Sequence, residues 1–258
     1  MPRFFVKNTD ITPQGQVTLR GDSALHIAYA LRLAAGEHIT VCDGLKTYDC
    51  VLNGFSPDKN NPWVTADVQS SWQIDTEPPY VAKLYQALPK GDKLDTIIQK
   101  AVECGACQII PFESSRCIAH AKPDAEERKT QRRNRIAEEA AKQCGRGILP
   151  SVLPTMTFAE AMEDAAKADL VLFCYEAEGT KPLGVVLNEL MPEINPATHD
   201  TPPKIAIIIG SEGGFSPDEA SIAAQRGFAM IGLGRRILRC ETAPTFVLGC
   251  LSYQYELT

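Results

Sequence analysis

The sequence predicts an α/β protein in which a small all-β domain (residues 1–72) precedes a larger α/β domain (residues 73–258). From Tyr80 onward, short runs of consecutive apolar residues alternate with amphipathic segments, which is typical of a parallel sheet covered by helices. Before that point the runs are short and are broken by Gly, Asn and Asp, which favours a small β-barrel. The polar stretch "SSWQIDTEPPY" contains Pro78 and Pro79 and is expected to be the linker.

The first domain is expected to contain short strands and one helix. The predicted strands are "RFFV", "QVTL", "EHITVCDG" and "TYDCVLNGF", and "HITVCDG" is the clearest case of a strand that runs into a turn. The segment "SALHIAYALRLAAG" places Leu25, Ala28, Leu31 and Leu33 at helical spacing and predicts a helix that ends at Gly36.

In the second domain the apolar runs predict five strands, "YVAKLYQAL", "CQIIPFES", "ADLVLFCYE", "PKIAIIIG" and "AMIGLG". Helices are predicted for "KGDKLDTIIQKAVECGA", for residues 124–143 and for "ETAPTFVLGCLSYQYEL" at the C-terminal end. The first of these helices has one apolar face, formed by Leu94, Ile97, Ile98, Ala101 and Val102.

Composition narrows the class of protein. No apolar run approaches the roughly 20 residues that span a bilayer, and "MPRFFVKNTD" lacks the apolar stretch of a signal peptide. We therefore expect a cytoplasmic protein without a membrane segment. The nine cysteines suit a reducing compartment, and the single C-x-x-C, Cys104 and Cys107, has no second ligand pair at zinc spacing, so no metal is expected.

The charge pattern gives two opposite indications about nucleic acid. A net charge of −6 argues against a general nucleic-acid binder. However, "RKTQRRNR" (residues 128–135) carries five basic residues and "GRRILR" (residues 234–239) carries three more. The first run is explained equally well by RNA contacts and by a solvated helix face that also carries glutamates.

The stretch "IAIIIGSEGGFSPDEA" (residues 205–220) ends a buried strand on a glycine-rich acidic turn. Parallel sheets bind ligands beyond the carboxyl ends of their strands, and glycines there let a ligand approach the backbone. Ser216, Pro217 and Glu219 have the pattern of a capped helix start. The glycine spacing fits neither the dinucleotide fingerprint nor a phosphate loop, and Glu212 would repel phosphate, so a neutral or zwitterionic ligand is expected.

A second glycine turn, "GLGRRILRCETAPT", follows the next strand and is expected to form the other wall of the same pocket, where Leu233, Ile237 and Leu238 would enclose a flat ring. Together, "IGSEGGFSPDE" and "LGRRILRCETA" resemble the paired C-terminal motifs of the RsmE family of small-subunit ribosomal RNA methyltransferases. The stretches "HIAYALRLAAGEHITVCDG", "LPKGDKLDTIIQKAVECG" and "EEAAKQCGRGILP" agree, so the resemblance covers essentially the whole chain. Ser211 departs from it, since the family usually has Pro there.

The resemblance implies a PUA-like β-barrel followed by a SPOUT-class α/β domain with a C-terminal trefoil knot, assembled as a homodimer. It also implies methylation of N3 of a uridine in 16S ribosomal RNA of the small subunit, with S-adenosylmethionine as methyl donor. The residues that it assigns to the cofactor are Leu172, Phe173, Gly210, Glu212, Gly213, Gly214, Leu233, Gly234, Ile237, Leu238, Glu241, Thr242 and Ala243.

Uracil N3 carries a proton, which the enzyme must remove before methyl transfer. A guanidinium near the uracil oxygens would favour the anion, and Arg239 is the first candidate. Glu212 or Glu241 is the candidate base, although either could bind the cofactor instead. The candidate RNA contacts are Arg3, Lys7, Arg32, Arg116, Arg132, Arg133, Arg135, Gln143 and Arg146.

Other functions remain open at this point. A SPOUT enzyme could act on another RNA or on another base atom, and attack of a Cys240 thiolate on C6 of uracil would correspond to C5 methylation. A non-catalytic RNA-binding protein would have a vestigial pocket. A nucleotide-dependent oxidoreductase is a further alternative, which only the α/β pattern supports.

Overall fold

A computed structural model describes residues 1–56, 58, 60–121, 123–176, 179–190 and 201–257. The chain divides into two compact units, one of residues 1–77 with 141–149 and the other of residues 78–140 with 150–258. The first unit therefore extends beyond the boundary expected at residue 72 and includes a short segment from much later in the chain. Among the described residues, no helix is both long and apolar enough to cross a membrane.

Five strands of the first unit form one sheet. In chain order they are β1 (Arg3–Phe5), β2 (Gln16–Arg20), β3 (His38–Cys42), β4 (Lys46–Phe55) and β5 (Trp63–Gln73). The order across the sheet is β1-β3-β4-β5-β2, with β1 parallel to β3 and the other neighbours antiparallel. Strand β5 includes Ser71 to Gln73, which the sequence assigned to the linker, because these residues pair with the start of β4.

The helix of the first unit is shorter than predicted. An α-helical turn, α1 (Asp22–Leu25), continues as a π-helix (His26–Ala30) and ends well before Gly36. Arg32 has a φ of 54°, a left-handed conformation that stops helix propagation. The helix was predicted correctly only in its first half, since Leu31 and Leu33 lie beyond it and the residues that it buries are Ala24 and Ile27.

The second unit contains a fully parallel sheet, as predicted. Its strands are β6 (Val81–Ala87), β7 (Ala106–Glu113), β8 (Ser151–Val152), β9 (Met156–Thr157), β10 (Leu170–Cys174), β11 (Lys181–Pro182), β12 (Lys204–Ile209) and β13 (Ala229–Gly232). The sheet order is β11-β13-β10-β12-β6-β7-β8, and β9 pairs with β7. Since the strands are parallel, the carboxyl ends of β13, β10, β12 and β6 lie along one edge.

Helices flank this sheet. They are α2 (Lys93–Glu103), α3 (Pro123–Cys144), α4 (Phe158–Ala165), α5 (Leu183–Leu190), α6 (Pro217–Gln225) and α7 (Ala243–Glu256). The predicted apolar face of α2 is buried at every position, which confirms the periodicity. The sequence reading did not identify α4, although Thr157 and Glu160 form the capping box that starts it.

Candidate active site

A cavity of about 800 Å³ lies at the carboxyl ends of β10, β12 and β13. Its lining comprises Lys93, Arg116, residues 174–176, Thr180, residues 209–215, residues 231–240 and Ala243. The two predicted glycine turns, residues 210–214 and residues 233–243, form much of this lining because β12 and β13 both neighbour β10 in the sheet. The volume is in the range of small-molecule sites.

The turn after β12 requires its glycines. Gly214 has a φ of 63°, and its N–H donates to Ser211 O at 3.0 Å. A Cβ on Gly210 would lie 3.1 Å from the Cα of Gly214, and a Cβ on Gly213 would lie 3.0 Å from both the Cβ and the carbonyl oxygen of Arg116. The backbone is therefore packed too closely for any larger residue at positions 210 and 213 without a shift of backbone atoms.

Side chains from neighbouring elements hold the same turn. Gln86, at the end of β6, donates from Nε2 to Gly210 O at 3.2 Å, and its Oε1 is buried without a hydrogen-bond partner among the described residues. Arg116 donates from Nη1 to Gly213 O at 3.2 Å. Ser211, at the position where proline was expected, donates from Oγ to Arg116 O at 3.4 Å. Ser211 thus joins the turn to the loop after β7.

The predicted capping box at the start of α6 is confirmed. Ser216 N–H donates to the Glu219 carboxylate at 2.9 Å, and Glu219 N–H donates to Ser216 Oγ at 3.2 Å. The carboxylate of Glu219 also accepts from the N–H and hydroxyl of Ser115, at 2.7 and 2.9 Å. The helix start is therefore fixed to the loop after β7, and the position of the glycine turn in front of it is fixed as well.

Lys93, a residue that sequence reasoning missed, links the two loops of the cavity. Its Nζ lies 2.8 Å from Glu212 Oε1 and 3.5 Å from Glu241 Oε2. Glu212 also accepts from the Lys90 N–H at 3.2 Å. Lys93 is the first residue of α2, which follows β6, and only the strand order brings that position beside β12.

The ionisation of these groups follows from their contacts. The hydrogen bond to Glu212 raises the pKa of Lys93 above its usual value. Partial burial alone would raise the pKa of Glu212, but hydrogen bonds from Lys93 and from backbone N–H groups outweigh it and hold the pKa below the ordinary value. The pKa of Glu241 is likewise lowered, since hydrogen bonds from its own N–H and from Cys240, together with Lys93, outweigh burial. Near neutral pH the cluster is one ammonium between two carboxylates.

Cys240 does not have the properties of a nucleophile. Burial, together with its hydrogen bond to Glu241 and the charges of Glu212 and Glu241, raises the pKa of the thiol to about 12. Its S–H donates to Glu241 Oε2 at 3.2 Å. Because the thiolate is the reactive form, a thiol with this pKa is inert near neutral pH, and the geometry disfavours covalent attack on uracil.

Arg239 lies at the mouth of the cavity with 83% of its side chain exposed. Its Nη1 is 3.9 Å from Glu241 Oε1, and its backbone carbonyl accepts from the N–H groups of Thr242 and Ala243 at 2.9 and 3.0 Å. The backbone of Arg239 is therefore fixed at the start of α7 while its guanidinium reaches into solvent.

Most of the predicted cofactor residues line the cavity: Gly210, Glu212, Gly213, Gly214, Leu233, Gly234, Ile237, Leu238 and Ala243. Leu172 and Phe173 do not line it, because both are fully buried in β10 and the strand reaches the cavity only at Cys174. Glu241 and Thr242 lie just outside the lining. Ile237 is 82% exposed, so it does not pack into the apolar wall that the sequence suggested.

Two of the predicted RNA-binding arginines are buried in ion pairs. Arg133 donates from Nη1 to Glu126 Oε1 at 2.9 Å and to Thr155 Oγ1 at 3.3 Å. Arg146 donates from Nε to Glu77 Oε2 at 3.1 Å, and only 5% of its side chain is exposed. These guanidinium groups are occupied within the protein, which corrects the expectation that they contact RNA.

The other RNA candidates differ in their surroundings. Arg3 is half-buried and donates to Arg146 O at 2.9 Å. Arg132 is paired with Asp95 of α2. Arg116 lines the cavity. The remaining candidates are exposed, namely Lys7, Arg32, Arg135 and Gln143.

The cavity lining has a different charge from the chain as a whole. It includes five cationic residues and two carboxylates, whereas the whole chain has a net charge of −6. The cationic residues are Lys93, Arg116, Arg235, Arg236 and Arg239, and the carboxylates are Glu176 and Glu212. Within the described part of the chain, no group of three or more His, Cys, Asp or Glu residues is arranged to hold a metal ion.

Comparison with known proteins agrees with this architecture. Residues 76–252 match a family described as an RNA methyltransferase domain. Ribosomal RNA small subunit methyltransferase E of Bacillus subtilis is 30% identical over 100% of this chain and 98% of its own length, and the Synechocystis protein of the same name is 32% identical over 94% and 75%. The crystal structure of the Neisseria gonorrhoeae protein of that name, bound to S-adenosyl methionine, superposes with a TM-score of 0.82 at 27% identity and covers 100% of both chains.

Proposed function

The chain belongs to the ribosomal RNA small subunit methyltransferase E family, and we propose that it methylates N3 of a uridine in 16S ribosomal RNA. It is an S-adenosylmethionine-dependent ribosomal RNA methyltransferase. The observation that carries the finer proposal is the cavity between two glycine loops with cationic residues at its mouth. A ribosomal substrate would place the protein in the cytoplasm.

The cavity fits S-adenosylmethionine in size and chemistry. About 800 Å³ accommodates a ligand of this size, and Gly214 leaves open space in the turn, since a Cβ there would have no protein atom within 4 Å. In this proposal the two loops hold the cofactor, which supplies an activated methyl group and needs no metal.

Arg239 is the proposed catalytic residue. Its guanidinium is exposed at the cavity mouth and, among the described residues, has one carboxylate neighbour, at 3.9 Å, so it is available for an incoming base. A cation near the uracil oxygens stabilises the negative charge that develops when N3 loses its proton. Each pKa unit by which N3 is acidified corresponds to about 1.36 kcal/mol.

Glu212 has a positioning role in this proposal, in place of the base role considered from the sequence. Its carboxylate already accepts from Lys93 and from the Lys90 N–H, and its pKa is held below the ordinary value. A general base works best with a pKa near the operating pH. Glu212 therefore fixes the glycine turn, and Lys93 couples that turn to the second loop through Glu241.

The finer architecture also follows the family. We propose that the first unit, residues 1–77 with 141–149, contains a PUA-like barrel that binds RNA through exposed Lys7 and Arg32, and that the second unit forms a SPOUT domain with a trefoil knot. A homodimer is supported by α7, where Phe246 and Tyr253 are exposed and Cys250 is half-buried. Residues spaced by four and three positions share one face of a helix, so an apolar stripe is available for a second copy.

The test of the proposed function is methyl transfer from isotope-labelled S-adenosylmethionine to unmodified small ribosomal subunits, followed by mass spectrometry of the nucleosides. Label in 3-methyluridine is the expected result. Label in another nucleoside would confirm methyltransferase activity but contradict the assignment of N3 of uridine as the methylated atom. Replacing Gly213 with Val is the matched control, because the side chain would collide with Arg116 and block cofactor binding.

A further inference from the structure

Ile237 is an exposed apolar side chain at the mouth of a polar site. It is 82% exposed, more than any other large hydrophobic residue that the structure describes as exposed, and it belongs to the loop that lines the cavity. Burying an isoleucine is worth about 1.5–3 kcal/mol, so leaving Ile237 exposed forgoes that stabilisation. A partner that covers it would recover that energy.

The neighbours of Ile237 indicate the chemistry of that partner. Arg235, Arg236 and Arg239 are all exposed, and within the described residues neither Arg235 nor Arg236 makes a hydrogen bond or an ion pair. Arg116 lies across the cavity and adds a further guanidinium to its lining. One apolar side chain among several arginines complements a chain of stacked bases with a phosphate backbone.

The reaction creates a need for such a side chain. N3 lies on the pairing edge of uracil, so the target base must leave its stack to reach a methyl donor inside the cavity. The neighbouring bases then lose a stacking partner, and proteins that open base steps commonly fill the gap with an apolar side chain. Ile237 is the apolar group at the entrance through which the base must pass.

We propose that Arg235, Arg236 and Ile237 form an RNA clamp at the cavity mouth, in which Ile237 fills the space left by the displaced uridine and the two arginines bind the flanking phosphates. This inference rests on the proposed function, since it presumes that a base enters the cavity. A second copy of the chain is the competing occupant, but the exposed guanidinium groups on both sides of Ile237 favour a polyanion.

The role of Ile237 in the RNA clamp is tested by single-turnover methyl transfer to small ribosomal subunits at saturating concentration of the subunits. Ile237→Ala should slow transfer on the order of tenfold, because the opened stack is no longer filled. Ile237→Leu should restore the rate. Ile222→Ala is the matched control, since Ile222 is an exposed isoleucine on α6 outside the cavity lining. An unchanged rate in Ile237→Ala would overturn the proposed role of Ile237 in the clamp. A loss of S-adenosylmethionine affinity as large as the loss of rate would also overturn it, because Ile237 would then be assigned to the cofactor.

The arginines are tested by the affinity for ribosomal RNA fragments in the presence of S-adenosylhomocysteine. The double variant Arg235→Gln/Arg236→Gln should bind RNA on the order of tenfold more weakly, with a smaller change in cofactor affinity, since both arginines also line the cavity. Arg226→Gln, an exposed arginine at the end of α6, is the control. Unchanged RNA affinity in the double variant would overturn the clamp. A shift of Ile237→Ala from dimer to monomer in sedimentation would also overturn it, because Ile237 and its neighbours would then contact a second copy of the chain.

The two proposals fail in different ways. If the wild-type protein produces no 3-methyluridine while the double variant still loses RNA affinity, the proposed function is wrong and the RNA surface stands. If the wild-type protein produces 3-methyluridine and all clamp variants equal it in rate and affinity, the function stands and the clamp is wrong.

Discussion

Two segments of this chain, residues 128–135 on α3 and residues 235–239 at the cavity mouth, are both rich in arginine but have opposite surroundings. On α3, Arg133 is buried against Glu126 and Arg132 is paired with Asp95. At the cavity mouth, Arg235 and Arg236 are exposed and have no partner among the described residues. Nearby carboxylates, and not the density of basic residues in the sequence, decide which segment can bind a polyanion.

The difference arises from how each segment is built. Helix α3 carries its own acids, and it packs beside α2 and the strand ends that supply Asp95 and Thr155. The cavity loop contains glycine and apolar residues between its arginines, and its one glutamate, Glu241, is shared with Lys93. Ion pairs fix Arg132 and Arg133 in the fold, whereas Arg235 and Arg236 remain available to a ligand.

Among the variants compared here, Arg133→Met is expected to have the largest effect on the stability of the fold. Removing the guanidinium leaves the half-buried Glu126 carboxylate with hydrogen bonds from Thr155 but without its counter-charge, which should lower the free energy of unfolding by about 3 kcal/mol, the lower end expected for a broken buried pair. Urea denaturation measures this change, and Arg128→Met on the exposed face of α3 is the control.

The loss of stability in Arg133→Met should depend on pH. Hydrogen bonds from Thr155 and the charge of Arg133 outweigh burial and lower the pKa of Glu126. The contribution of a carboxyl group with a lowered pKa is present above its unfolded pKa and is lost as the pH falls through the folded value. The deficit of Arg133→Met should therefore shrink in acid, and a deficit independent of pH would indicate lost packing instead.

A large effect on turnover is expected for Arg239→Ala. Loss of a charge that stabilises the anionic base should lower kcat by about 100- to 1000-fold, with little change in the free energy of unfolding or in cofactor affinity. Steady-state kinetics with calorimetric binding separates these quantities. Equal losses in kcat and in cofactor affinity would assign Arg239 to the cofactor.

A smaller effect is expected for Lys93→Met. Without the ammonium, Glu212 and Glu241 repel each other across the two loops, and cofactor affinity should fall about fivefold. Lys93→Arg should restore most of it. The contact of Lys93 with Glu212 and Glu241 requires that both carboxylates are ionised and that the amine is protonated. The pKa values of Glu212 and Glu241 are lowered and the pKa of Lys93 is raised. The contact should therefore persist across the neutral pH range. Unchanged affinity in Lys93→Met would show that the loops hold their positions without it.

The smallest effect is expected for Arg132→Ala. Its ion pair with Asp95 is largely exposed, and such pairs contribute less than about 1 kcal/mol. Thermal unfolding should shift only slightly. A shift as large as that of Arg133→Met would contradict the distinction between the buried and the exposed pair.

Local patterns predicted much of the fold and part of the site. Apolar runs predicted the parallel strands, helical spacing predicted the buried face of α2, and Ser216 with Glu219 predicted the start of α6. Lys93 was missed because its place beside Glu212 depends on the order of strands in the sheet, which periodicity does not encode. The burial of Arg133 depends on Thr155, 22 residues away in sequence.

The most direct test of the contrast between the two arginine segments is the slope of log RNA affinity against log salt concentration. Two variants are compared with the wild-type protein, Arg235→Gln/Arg236→Gln at the cavity mouth and Arg132→Gln on α3, where the arginine is paired with Asp95. Losing two phosphate contacts should flatten the slope by about 1.4 for the cavity variant, and the α3 variant should leave it unchanged. A flatter slope for the α3 variant with an unchanged slope for the cavity variant would contradict the assignment of RNA binding to the cavity mouth.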